Sequence, residues 1–150
     1  MTEHKEYYVK TMKAFALDKP EYAELVANQP VGSNWGLYSL ATFSVMLDKA
    51  FKDQETVTHE SIKQFVEKVR YSYRKAEKPF NGLALEGLIR SLMGEDELMD
   101  DIPVDQQHDA IMLTIYYVAQ TDEDVYARID SYLTDADAMA DAWTAEEAQS

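Results

Sequence analysis

A chain of 150 residues, 46% hydrophobic and 28% charged, has the length of one domain and enough apolar content to close a core, which excludes disorder as the default. Without cysteine it forms no disulfide, thiolate metal site or cysteine nucleophile. Its formal charge of −14 is concentrated: residues 1–94 hold 13 basic and 12 acidic side chains, whereas residues 95–150 set Arg128 alone against 16 acids, a balance that disfavours nucleic acid or an anionic membrane as ligands of the last third.

The first helix is predicted over residues 3–16, with Tyr8, Met12, Phe15 and Ala16 on one face. Asp18, with Glu21 three residues later and Pro20 in the first turn, reads as the N-cap of a short second helix ending near Asn28. A turn over Pro30–Gly32 leads to Ser33, a suitable cap for the next helix. From Gln29 to Leu47 the chain carries no charge, and from Trp35 onward large apolar groups point in nearly every helical direction. Such a helix is buried. Ser39, Thr42 and Ser44 interrupt the apolar run that a membrane span needs.

Thr58 caps an amphipathic helix predicted over 59–78, with Ile62, Phe65, Val66, Val69, Tyr73 and Ala76 facing inward. Its outer face carries Lys63, Lys68, Arg70, Arg74, Lys75 and Lys78 against Glu60, Glu67 and Glu77. Pro79–Gly82 breaks the pattern, and Leu85, Leu88, Ile89, Leu92 and Met93 form another face that Gly94 closes. Residues 95–109 hold seven acids and neither lysine nor arginine, and read as a solvated acidic loop. The apolar run Ala110–Ala119 would also suit a strand. No second strand exists to pair with it, so a helix over 106–120 is predicted. Thr121 and Asp124 form a capping-box pattern before the face Val125, Ile129, Tyr132 and Leu133. Thr134 would cap a last helix gathering Ala136, Met139, Ala140 and Trp143, and residues 144–150 are expected to fray. The fold class is therefore all-α: a single domain over 1–143, a bundle of five to seven helices around the central helix 34–52, with 106–120 against it.

Chemistry-bearing motifs are sparse. Asp105-x-x-His108 has the i, i+3 spacing of carboxylate-bridged bundles but lacks the further inward carboxylates that such sites need. His59-Glu60 is not followed by the second histidine of a zinc helix, and Asp122-x-Asp124 and Asp135-x-Asp137 lack the glycine and glutamate of a calcium loop. The five glycines form no phosphate loop, and no serine sits in a nucleophile elbow. Tyr73-x-x-x-Glu77 and Tyr126-x-x-x-Asp130 match a short export signal, at a frequency the acid content alone explains. A non-enzymatic protein without metal or cofactor is expected, cytoplasmic because the N-terminus lacks the apolar core of a signal peptide.

Two surfaces remain as candidates. The first is acidic and apolar: Asp122, Glu123, Asp124, Asp130, Asp137, Met139, Asp141 and Trp143, in which Trp143 and Met139 would anchor a partner protein with a basic surface. Seven acids in residues 95–109 add the prospect of nucleic-acid mimicry. The alternative is a basic patch of Lys68, Arg70, Arg74, Lys75 and Lys78 contacting nucleic acid, which the acidic balance of the whole chain opposes. Self-association is left open.

Overall fold

The computed structural model describes residues 4–75 and 81–149. They form eight α-helices: α1 (Lys5–Ala16), α2 (Tyr22–Ala27), α3 (Trp35–Ala50), α4 (His59–Ser72), α5 (Gly82–Leu92), α6 (Val104–Thr121), α7 (Glu123–Ala127) and α8 (Ile129–Gln149). A 3₁₀ helix, Asp96–Asp101, precedes α6, and no strand occurs among the described residues. The fold is all-α, as the apolar periodicity predicts. Backbone packing divides the chain into two compact units, one of the residues up to Lys49 with those from Ile115 onward, the other Ala50–Thr114.

In the first unit, α3 has the character its composition dictates. Trp35, Tyr38, Ser39, Ala41, Thr42, Phe43, Val45, Met46 and Leu47 are all buried, covering nearly the whole circumference of the helix. The Tyr38 ring stacks on Tyr8 of α1 with centroids 4.8 Å apart, and its hydroxyl donates to the Leu133 carbonyl of α8 at 3.2 Å. The Gln120 side-chain amide donates to the Ala16 carbonyl at 2.8 Å, satisfying a terminal acceptor of α1.

Asp18 does not cap α2. It occupies the left-handed region (φ 58°) just past α1, where the Lys19 amide bonds the Ala14 carbonyl at 2.7 Å and the Asp18 amide bonds Phe15 at 3.1 Å. This is a Schellman ending with aspartate in the place usual for glycine, a conformation that Asp and Asn tolerate better than other side chains. α2 starts at Tyr22 with no side-chain cap. Thr121 is likewise no cap: it is the last residue of α6, its hydroxyl bonded to the Tyr117 carbonyl, and Asp122 caps α7 instead. Thr134 lies inside α8, which passes straight through it and continues to Gln149 across residues assigned from sequence to a fraying tail. The alanine-rich stretch after Thr134 contains neither glycine nor proline to break a helix.

In the second unit, α4 packs on α5 and α5 on the 3₁₀ helix. Thr58 caps α4 through a reciprocal bond with Ser61, as its position predicts. α4 ends at Ser72 with Tyr73 as C-cap, short of the predicted 78. Gly94 (φ +120°) closes α5 as expected, with the Glu95 amide on the Arg90 carbonyl at 3.1 Å. Gly87 permits a close approach: a Cβ there would lie 2.9 Å from Ile102 Cδ1.

Candidate partner-binding surfaces

The acidic surface predicted for the C-terminal segment is largely consumed in holding the first unit together. Asp122 Oδ1 accepts from the amides of Asp124 and Val125 at 3.0 and 3.2 Å, and its Oδ2 lies 3.6 Å from Lys49 Nζ. Asp124 takes a two-pronged bond from Arg128, Nε to Oδ1 at 2.9 Å and Nη2 to Oδ2 at 2.7 Å. The Tyr132 hydroxyl also donates to Asp124 Oδ2, and Lys49 stands 3.9 Å away. The Arg128 hydrogen bonds first, then that of Tyr132, hold the Asp124 carboxyl well below the usual carboxylate range. The same pairing raises Arg128, and burial followed by the Asp124 bond raises the Tyr132 hydroxyl.

The other members of the set divide. Asp130 is exposed and pairs with Lys13 of α1 at 3.1 Å, an exposed contact of small energetic value. Glu123 is exposed, and Met139, Asp141 and Trp143 are half-buried. Asp137 is a correction: only 4% exposed, it belongs to the interior. The reason is helical spacing, since Asp137 stands four residues after buried Leu133 and three before buried Ala140 on one stripe. The eight residues therefore do not make one acidic face.

The basic patch is also reshaped. Lys68, Arg70, Arg74 and Lys75 are exposed, while Lys78 lies outside the described residues. Because α4 stops at Ser72, Arg74 and Lys75 sit in the following turn and do not extend the predicted helical stripes. Arg74 folds back, its guanidinium 3.9 Å over the Tyr71 ring and its Nη1 on the Tyr71 carbonyl at 2.8 Å. Arg70 pairs with Glu67 at 3.5 Å. Sequence reasoning missed the groove of about 800 Å3 between α4 and α5, where Val66 and exposed Leu83 lie among Lys63, Arg70, Glu67 and Glu86. Its one sequence signal is Gly82, where a Cβ would come within 3.3 Å of Val66 Cγ1. Two cations face two anions in this groove, so it selects neither sign of charge.

The acid-rich stretch is ordered, not the open loop its composition suggests. Gln107 Nε2 donates to the carbonyls of Met99 and Ile102 at 3.0 and 2.8 Å, fastening the 3₁₀ helix to α6. Glu95 accepts from Arg90 twice, at 2.8 and 2.7 Å, and lies 3.1 Å from His59 Nε2. These bonds, Arg90's first, hold its carboxyl down to about 2. Beyond Glu95, the exposed carboxylates Glu97, Asp100, Asp101 and Asp105 make no ion pair among the described residues. On a 3₁₀ helix residues three apart eclipse, which sets Glu97 above Asp100.

The Glu95 pairing predicts a pH dependence. A carboxyl whose folded value is depressed contributes its stability above its unfolded value and loses it as pH falls through the folded one. Stability is therefore expected to decline from the ordinary value of 4.5 towards about 2. Denaturant titrations across that window should show a shallower decline for Glu95→Gln than for the parent chain. Identical profiles would mean that the Arg90–Glu95 pair contributes nothing.

Among the described residues no group of three or more His, Asp or Glu side chains is placed to hold a metal ion, and no helix is long and apolar enough to cross a membrane. The chain matches no protein-family model, and neither a curated protein nor a solved structure proves similar to it.

Proposed function

We propose that this protein is a non-enzymatic inhibitor or regulator that binds a basic surface of another protein, presenting an ordered row of carboxylates in the manner of a nucleic-acid backbone. The observation that carries this reading is the contrast between the two acidic regions. Asp122, Asp124 and Asp130 are engaged by Lys49, Arg128 and Lys13, whereas Glu97, Asp100, Asp101 and Asp105 face solvent without a counter-ion among the described residues. At a rise of about 2 Å per residue, Glu97 and Asp100 stand one above the other about 6 Å apart, and Asp101, a third of a turn round, brings a third charge within roughly 8 Å of axis. Double-stranded DNA carries one charge per roughly 1.7 Å of axis, or about 3.4 Å per strand. The two densities are comparable, and a basic groove built for phosphates would meet carboxylates at a similar pitch. Keeping the row fixed on the 3₁₀ helix and the first turn of α6 reduces the ordering entropy lost on binding.

The test is a variant carrying Glu97→Gln, Asp100→Asn, Asp101→Asn and Asp105→Asn. The parent chain should capture nucleic-acid-binding proteins from a cell extract and release them to added duplex DNA or raised salt, since exposed charges are screened beyond roughly 8–10 Å. The neutralised variant should capture none of them. Capture of the same set by both proteins would sink the proposal.

The cations at and after the end of α4 support a second reading, direct nucleic-acid binding, because Lys68 on the helix and Arg74 and Lys75 in the turn that follows are each exposed. In that case the chain itself retards an oligonucleotide at low salt, and Lys68→Glu with Lys75→Glu abolishes the shift.

A further inference from the structure

The long helix α8 is held unevenly along its length. Its first part is anchored by large buried groups, with Ile129 3% and Leu133 0% exposed, and by the Tyr38 hydroxyl bonded to the Leu133 carbonyl. Between Thr134 and Glu146 the buried positions are Ala136, Asp137 and Ala140, and Met139 and Trp143 are only half-buried. That stretch therefore excludes little apolar surface, and one of its three buried side chains is a carboxylate. Asp137 Oδ1 finds no hydrogen-bond partner among the described residues. The helices around it repeat the pattern: α1, which packs against α8, buries the Tyr7 hydroxyl and Thr11 Oγ1 unpaired, and α3 does the same with Ser39 Oγ. A polar group that has lost water without gaining a partner favours whichever state rehydrates it. The charge pattern acts in the same direction, because α8 beyond Leu133 carries Asp135, Asp137, Asp141, Glu146 and Glu147 with no lysine or arginine, and its last turn lacks the cation that would complement the helix dipole.

We propose that residues 137–149 form a detachable arm: this part of α8 opens locally as a unit while Ile129–Leu133 stays docked, and opening uncovers the stripe of Ala140, Met139 and Trp143. The unpaired Asp137 Oδ1 is the element that poises it, since that oxygen has neither water nor a partner in the closed state and is hydrated in the open one. Simple fraying differs in kind, because it would affect only the last turn of a helix that runs on to Gln149.

Native-state hydrogen exchange on the full chain separates the alternatives. Amides of residues 138–143 are expected to exchange together through a local opening, well before those of α3, which report global unfolding. Asp137→Ala removes the unpaired group with a good helix former and should slow exchange of residues 138–143 by about 5–30-fold, the ratio that one or two kcal/mol produces, while α3 is unaffected. Protection of residues 138–143 equal to that of α3 overturns the proposal. So does exchange that is fast in the parent chain but not slowed by Asp137→Ala.

Discussion

Phe43→Asp is expected to leave the first unit unfolded at room temperature. Phe43 is fully buried on α3, the helix that presents apolar groups in almost every direction. Truncating a buried phenylalanine costs about 3–5 kcal/mol through lost transfer energy and the cavity left behind. Aspartate adds a charge to that cavity with no cation in α3 to receive it, as the sole base of the helix, Lys49, is nearly two turns away beside Asp122 and Asp124. Whole domains are stable by only about 5–15 kcal/mol, so one such change removes much of the margin or all of it. Ile115→Asp on α6, also 0% exposed, should behave alike. Val31→Asp supplies the control, because Val31 is 100% exposed and surface changes stay within about 0.5 kcal/mol, or roughly 1–2 °C for a chain of this size. Circular dichroism melts read all three. If Phe43→Asp melts like the control, α3 is not the core helix.

That experiment rests on the feature most legible in the sequence. A charge-free run with apolar groups on all sides has few places to go except the interior, so α3 follows from composition alone. The Thr58 cap and the Gly94 ending are legible for a similar reason, since each depends on a local backbone requirement that few residue types meet. The misreadings share a different cause. Asp18, Thr121 and Thr134 are residues with several local uses, as caps, left-handed endings or plain helix positions, and their neighbours in space decide among them. Asp137 shows two rules in conflict. Its spacing from Leu133 and Ala140 places it inside, while the strong tendency of aspartate to stay in water places it outside, and packing decided for the first. Least legible were the pairings that disarm the C-terminal acids, because Lys49 meets Asp122, and Lys13 meets Asp130, across separations no sequence pattern encodes.

Tyr38 offers the second large effect, and a comparison of two substitutions there separates ring from hydroxyl. The ring is 0% exposed, stacked on Tyr8 at 4.8 Å with an interplanar angle of 12°, and lies 5.9 Å from Trp35. Burial, first among its causes, raises the pKa of the hydroxyl, so the group stays protonated and donates to the Leu133 carbonyl at 3.2 Å. Tyr38→Phe keeps the ring and deletes one neutral hydrogen bond, a loss of about 1 kcal/mol. Tyr38→Ala deletes the ring as well and opens a cavity where α1, α3 and α8 meet, for about 3–5 kcal/mol, with roughly a further 0.5–1.5 from the lost stacking. Urea denaturation should therefore give a midpoint for Tyr38→Phe close to that of the parent and one for Tyr38→Ala far below it, with similar slopes. Equal losses in the two variants would shift the explanation onto the hydroxyl: the tie from α3 to Leu133, and not aromatic packing against Tyr8, would then be what anchors the first part of α8.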